Sequence, residues 1–249
     1  MLKEERQRTI LSEVELHNRV LLTDIAEKLD VSIDTIRRDV KELDADNKLR
    51  KVHGGAVSLG FANYSPARNN VYALAQKTAI AQKALNLIGD NNVILIDGGT
   101  TCLELARLIP AEQSITCFTL SLPVAMELLN KPKVETIFIG GVLSKDSQIS
   151  IGPNTIHNLS EIKVDYAFIG TGYVDANFGL TEFDWDIVQT KKAVIKASKK
   201  AILLSISEKL HSQHRYKTCG INEIDTLITE LEPNHQLLNA FKDQDIKRL

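Results

Sequence analysis

Near the amino end, apolar positions recur at helical spacing. In residues 31–43, VSIDTIRRDVKEL, Ile36, Val40 and Leu43 fall at i, i+4 and i+7 and share one face. Asp34, Arg38 and Lys41 project from the opposite face, with Thr35 and Arg37 on the flanks. Ser32 stands just ahead of the run, where its hydroxyl can accept an orphan backbone N–H and cap the helix. Residues 22–29, LTDIAEKL, carry a second amphipathic pattern with Ile25, Ala26 and Leu29 on one side. Only Asp30 and Val31 intervene, so a helix-turn-helix is expected over about residues 20–39. Asp30 occupies the turn, where glycine is common, and Asp tolerates left-handed backbone better than most residues. Residues 4–17 read as a preceding helix with Ile10, Leu11 and Val14 inward.

The pattern then shortens. Strand-like pieces at 49–52 and 56–59 flank Gly54-Gly55, a hairpin signal because both glycines can take positive φ. Lys48, Arg50, Lys51 and His53 decorate this hairpin, which reads as a wing or as a solvated loop. A polar, small-residue stretch follows, so the chain divides into a domain at 1–60, a linker at 61–70 and a larger domain at 71–249. In the larger domain helices at 72–88, 101–108 and 123–129 alternate with apolar strands at 93–96, 115–118 and 134–139. After a glycine-rich passage come strands at 166–169, 201–206 and 226–229 and helices at 184–199 and 236–241. Short continuous apolar strands between helices predict an α/β domain with a mostly parallel sheet covered on both faces.

Charge narrows the chemistry. The net charge is −2, so any nucleic-acid contact must come from local clusters and not from global attraction. On the 31–43 helix, arginines can pair with guanine edges while Ser, Thr and Lys hold phosphates. The alternative is a helical hairpin with a solvated charged face. Cys102, Cys117 and Cys219 are far apart and lack metal-ligand spacing, so reduced thiols and no metal site are expected. The amino end lacks the apolar core of a signal peptide, and no apolar run approaches the ~18 residues of a membrane span. A cytoplasmic protein with no membrane partner is therefore expected.

A ligand site is expected in residues 94–105, ILIDGGTTCLEL. A buried strand ends in Asp97, Gly98-Gly99 turns the chain, and Thr100-Thr101 opens a helix. Turns at the carboxyl ends of parallel strands are where ligands bind, and free N–H groups at a helix start can cradle an anion. A tight turn with a threonine cap is the competing reading. The segment is neither a Walker loop nor a dinucleotide fingerprint. Lys77 and Lys191 each fall on the apolar stripe of their helix. Each is either snorkelling or aimed at a bound anion.

These pieces resemble a known family. Arg6, Ile10, Val14, Ser32, Thr35-Ile36-Arg37-Arg38-Asp39-Val40 and Lys51-Val52-His53-Gly54-Gly55-Ala56 look like the winged helix-turn-helix of the DeoR family of bacterial transcriptional regulators. The resemblance implies that Ser32, Thr35, Arg37, Arg38 and Lys41, with Arg50, Lys51 and His53 of the wing, touch double-stranded operator DNA. Asp39 is expected to orient an arginine or support packing, since phosphates repel a carboxylate. The larger domain resembles the DeoR sensor domain, with a fold similar to ribose-5-phosphate isomerase. The matching pieces are Lys77 with Ile80-Ala81, Asp97-Gly98-Gly99-Thr100-Thr101, Thr119 with Ser121, Gly140-Gly141, Ser150 with Gly152, Asp165 with Phe168-Ile169-Gly170, and Lys191.

The implied effector is a small phosphorylated metabolite. Asp97, Gly98, Gly99, Thr100, Thr101 and Ser121 would line its site, Gly140, Gly141 and Gly152 would allow close backbone approach, and Lys77 and Lys191 would hold the anion or its neighbouring carboxylate. Four positions depart from the family pattern: Leu120, Ser144, Ser205 and Glu208 stand where polar or cationic residues are usual, so an altered effector or a weakened sensor is expected.

The function this implies is a ligand-responsive repressor without catalytic residues or cofactor, binding DNA as a dimer or tetramer. Two alternatives stay open. One is a sugar-phosphate isomerase with an appended DNA-binding module, for which Asp97, Glu104, Glu182, Asp184 and Asp186 are the candidate carboxylates, although the last three also read as a helix N-terminal charge preference. The other is an architectural DNA-binding protein.

Overall fold

The computed structural model describes residues 1–59 and 71–249, so the expected linker at 61–70 lies outside the described residues. The chain forms two compact units, Met1–Tyr72 and Ala73–Leu249.

The smaller unit runs α1 (Lys3–His17), β1 (Arg19–Leu21), α2 (Leu22–Leu29), α3 (Ile33–Ala45), β2 (Arg50–Val52) and β3 (Gly55–Val57). Ile10, Val14, Ile25, Ile36, Val40 and Leu43 are buried together, which is the face their spacing predicted. Asp30 ends α2 in left-handed backbone (φ 50°), and the N–H of Val31 bonds Ala26 O at 3.0 Å. The Ser32 side chain caps α3 by accepting from Thr35 N. The wing is a three-stranded sheet in the order β1-β3-β2. β1 was not anticipated, because three residues carry no readable period. Only Gly54 of the glycine pair takes positive φ (70°). Gly55 is required for a different reason: a Cβ there would lie 2.4 Å from the carbonyl oxygen of Val20 on β1.

The larger unit begins with α4 (Leu74–Leu85) and builds one half of its sheet from β4 (Val93–Ile96), α5 (Thr100–Leu108), β5 (Ile115–Thr119), α6 (Leu122–Leu128) and β6 (Val134–Phe138). A short hairpin, β7 (Val142–Leu143) with β8 (Ser150–Ile151), and α7 (Pro153–Ser160) follow. The other half is β9 (Val164–Gly170), β12 (Ser198–Leu204), β14 (Thr226–Ile228) and β15 (Lys247–Arg248). Between β9 and β12 lie β10 (Tyr173–Asp175), β11 (Gly179–Glu182) and α8 (Trp185–Lys196), and β13 (Tyr216–Cys219) precedes β14. The seven-stranded sheet has the order β15-β14-β12-β9-β4-β5-β6 with every pairing parallel. Leu95, Ala167, Ile169, Leu203 and Leu227 form the middle of the core.

The strands and helices read from the 71–139 pattern are present within a few residues. The passage from 140 to 183 is richer than expected. β7, β8, β10 and β11 are too short to show alternation, and α7 was not anticipated, although Gly152 followed by Pro153 is a helix-start signal. α8 ends at Lys196, three residues early, because Ser198 already begins β12. Residues 236–241 form a 3-10 turn and not an α-helix.

β4 is the first strand, and successive strands are added to one side through β6 and to the other from β9 onward. The loops leaving β4 and β9 therefore diverge, which opens a crevice at the carboxyl end of the sheet. Asp165 fastens the opposite end of the same pair by accepting from Val93 N at 3.0 Å.

Candidate functional site

The first candidate surface is the solvent side of α3. Arg37 is exposed and bonded to Asp34 at 2.8 Å, one helical turn away. Arg38 and Lys41 are exposed, and neither has an acidic partner among the described residues. Ser32 and Thr35 are joined through their hydroxyls at 2.9 Å at the start of the helix. Lys51 and His53 are exposed on the wing and Arg50 is half-buried, while the backbone N–H of Lys51 bonds Asp44 Oδ1 on α3 and ties wing to helix. Asp39 points the other way. It is buried and takes the Arg6 guanidinium in a two-point ion pair, Nε to Oδ2 and Nη2 to Oδ1. That pair holds the Arg6 guanidinium above its ordinary pKa. It locks α1 onto the back of α3 and leaves the front to Arg38 and Lys41.

The second is the crevice at the carboxyl ends of β4 and β9. Asp97 is buried there; neither carboxylate oxygen makes a well-formed hydrogen bond, and the backbone N–H groups of Gly98 and Gly170 give only partial support to its charge. Burial pushes its pKa up, against the opposing pull of Lys191. Gly98 and Gly99 follow. A Cβ on Gly98 would lie 2.3 Å from Ile149 Cγ2, so this glycine lets the 148–150 segment close over the turn. Gly99 takes φ 108° and leads into α5, whose first residues are Thr100 and Thr101. Ser121 is buried across from Gly98 and caps α6.

Lys191 of α8 reaches the same place. Its ammonium donates to Gly170 O and to Glu182 Oε1, each at 2.6 Å, and lies 3.9 Å from Asp97 Oδ2. Burial pulls its pKa down, but Glu182 and Asp97 outweigh that and hold it above the ordinary lysine value. Lys191 is thus not snorkelling; it is held and neutralised by neighbouring carboxylates, one of the two roles that the resemblance implies for it. The sequence groups Glu182 with Asp184 and Asp186 as a helix-start preference. Asp184 does cap α8, but Glu182 is buried on β11 between Lys191 and the N–H of Gly172.

A further cation was missed. Lys209 is buried, donates to Thr171 O at 2.9 Å, and lies within electrostatic reach of Glu182, Lys191 and Cys102. Burial lowers its pKa to about 8. The loss of a cation inferred from Glu208 is therefore overturned. Glu208 faces solvent, and the 3-10 turn Ser207–Lys209 swings the next residue inward. The signal was available as a lysine one position on, but a one-residue offset in a turn reverses direction. Of the other departures, Leu120 is core beside Ile139 and Ile149, Ser205 is buried, and Ser144 N bonds Ile149 O at the base of the hairpin.

The remaining expected residues are less central. Lys77 is buried on α4 with Ile80 and Ala81. Gly141 allows close approach of Thr155, not of a ligand: a Cβ would lie 2.0 Å from its Oγ1. Gly140 has open space around it, and its carbonyl accepts from Thr155. Gly152, at φ 92°, starts α7. Among the described residues no cluster of His, Cys, Asp and Glu suits a metal ion, and no helix is long and apolar enough to cross a membrane.

Comparison with known proteins follows the same division. Residues 6–60 match the DeoR-like helix-turn-helix domain, and residues 73–231 match the DeoR C terminal sensor domain. The chain is 33% identical to the HTH-type transcriptional repressor GlcR of Bacillus subtilis (strain 168), over 100% of this chain and 96% of that one. It is 29% identical to the Glycerol-3-phosphate regulon repressor of Haemophilus influenzae, covering 97% of this chain and 94% of that one. Among solved structures, ribose 5 phosphate isomerase A from Neisseria gonorrhoeae matches 55% of this chain and 53% of its own at 16% identity and a TM-score of 0.41. With a helix-turn-helix module at one end and a sensor module over most of the rest, the chain belongs to the DeoR family of DNA-binding transcriptional regulators.

Proposed function

We propose that this regulator is a repressor that releases its operator when a small phosphorylated metabolite binds in the crevice between β4 and β9. The observation that carries this reading is the Asp97 carboxylate, buried at the switch point of the sheet with neither oxygen in a well-formed hydrogen bond and its cation, Lys191, 3.9 Å away. A buried acceptor left unpaired is costly, and a sugar or polyol hydroxyl is the donor that would satisfy it. The phosphate belongs at the start of α5, where Gly99, Thr100 and Thr101 supply backbone N–H groups and hydroxyls, with Lys209 as the cation. Ser121 completes the wall. Lys77 supports the α4 side, and Gly140, Gly141 and Gly152 shape the flanking hairpin. Lys191 positions Asp97 and Glu182 and does not itself clamp the anion.

In this reading the chain has no catalytic turnover. Glu182 is held by Lys191 and the N–H of Gly172, so it is not poised to abstract a substrate proton. The protein acts in the cytoplasm as a dimer or tetramer, with Ser32, Thr35, Arg37, Arg38 and Lys41 in the major groove and Arg50, Lys51 and His53 on flanking phosphates. Operator fragments selected from genomic DNA, titrated by fluorescence anisotropy with hexose, pentose and glycerol phosphates, test this. One compound should weaken operator binding at least about tenfold, which is the ~1.4 kcal/mol scale of modest allosteric coupling. Thr101→Val should bind operator normally but lose the response. A compound that strengthens binding would reverse the sign of control. A panel without effect, or turnover of a sugar phosphate, would overturn the reading.

A further inference from the structure

We infer that the face formed by α6, the edge strand β6 and the β7–β8 hairpin is where a second copy of this chain docks. The inference rests on the oligomeric reading above and names the surface responsible.

Seven of the thirteen exposed large apolar residues among the described residues fall within positions 122–143. Leu122, Met126 and Leu129 form a stripe along the outer side of α6, and Leu129 is 69% exposed. The inner side of the same helix buries Val124, Ala125 and Leu128. Its sequence is LPVAMEL, with Glu127 as the sole charge, so α6 is apolar nearly all round. Such a helix is expected to be covered on both sides. Beside it, β6 ends the seven-stranded sheet with one edge unpaired among the described residues, and Ile137 and Phe138 are exposed on it. Monomeric proteins protect edge strands with charge, proline or a covering loop; here Pro132, Lys133 and Glu135 guard the start of β6, while Ile137 and Phe138 leave its carboxyl end apolar. The hairpin adds Val142, 66% exposed, and Leu143. It is continuous with α6, because Leu122 N bonds Gln148 O and Ser121 bridges Ile149.

The area suits a copy of the same chain. At roughly 150 Å2 per residue, the low end of the aromatic range since six of the seven are aliphatic, the exposed fractions amount to roughly 500 Å2, and a polar rim supplies the rest of the ~800 Å2 per partner of a standard interface. A helix lying beside an open edge strand is self-complementary about a twofold axis: the two β6 strands can run antiparallel while each α6 stripe covers the other. Exposed Lys133, Glu135 and Lys145 bound the patch with both signs of charge, as at an interface rim. A dimer of this kind joins two reading helices, which paired operator half-sites require.

Sedimentation velocity on the full chain, without DNA or metabolite, tests the face. The natural chain should sediment as a dimer or larger at micromolar concentration. Leu129→Arg and Val142→Arg should each weaken self-association at least a hundredfold and give monomers with unchanged circular dichroism. Leu237→Arg, at an exposed leucine elsewhere, should leave the assembly intact. Met126→Cys should form a covalent dimer with a bis-maleimide while Leu237→Cys does not, since the three natural cysteines are buried. If the natural chain is a monomer, both this inference and the oligomeric reading fall. If it assembles but the arginine variants remain assembled, or Leu237→Arg dissociates it equally, the oligomer stands and this face is wrong.

Discussion

Two lysines and an arginine show how little residue type says without its surroundings. Arg38 and Lys51 are both exposed cations, but one stands on α3, the proposed reading helix, and the other on the wing. Arg38→Ala should therefore cost about 1–3 kcal/mol of discrimination between operator and random DNA. Lys51→Ala should weaken both alike and lower the salt slope by about one. Anisotropy titrations at several salt concentrations separate the two, and equal losses on random DNA would remove the base-reading role. Lys209 is a cation of another kind. Its folded pKa of about 8 lies below the ordinary 10.5, so between those values the unfolded chain binds more protons and stability rises with pH. Below pH 8 the cost of burying the charge is fully present, on the order of 3 kcal/mol. Lys209→Met should accordingly be more stable at pH 7, with the advantage shrinking toward pH 10 in denaturant titrations. With Lys209 as the proposed phosphate partner, effector affinity should fall above pH 8 as its ammonium is lost.

At the scale of elements, pairing decides orientation. α3 presents its arginine edge because its back is fixed to α1 through Arg6 and Asp39. Asp39→Ala would leave the guanidinium without its buried partner, and a loss of roughly 3 kcal/mol in the smaller unit is expected. Operator affinity should fall with it, although Asp39 is buried away from solvent. Arg6→Met combined with Asp39→Leu should recover most of the stability, and thermal melts of the single and double variants check both statements. In the wing, Gly55→Ala places a methyl against Val20 O and should cost about 1–3 kcal/mol by forcing β1 from β3. Much of this was legible: the spacing of Ile36, Val40 and Leu43, the Ser32 cap and the Asp30 turn are local signals. The role of Gly55 was not, because the atom it avoids lies on a strand that sequence periodicity did not reveal.

For the whole molecule, two units with separate cores should unfold separately. Chemical denaturation followed by intrinsic fluorescence and circular dichroism should resolve two transitions. Trp185 lies in the larger unit, so its emission reports that transition alone. A metabolite bound in the crevice should move only the larger unit's transition, by about 2.7 kcal/mol at a hundredfold excess over Kd. A single transition, or an effector that shifts the smaller unit equally, would mean that the two units are energetically one. The net charge of −2 adds that operator affinity depends on the placement of a few cations, so it should fall steeply with salt even though the protein as a whole is not basic.

The sequence by itself determined which segments are helices and strands where an apolar period was long enough to read. It also located the turn after β4, because Asp97-Gly98-Gly99-Thr100-Thr101 is contiguous and its chemistry is local. Tertiary structure alone decided who meets whom inside the crevice. Lys191, Glu182, Thr171 and Lys209 arrive on four different segments, and whether a buried lysine is clamped, neutralised or free depends on distances of a few ångströms between chain segments far apart in sequence. Electrostatic energy in a buried site varies steeply over that range, whereas the sequence records only order along the chain.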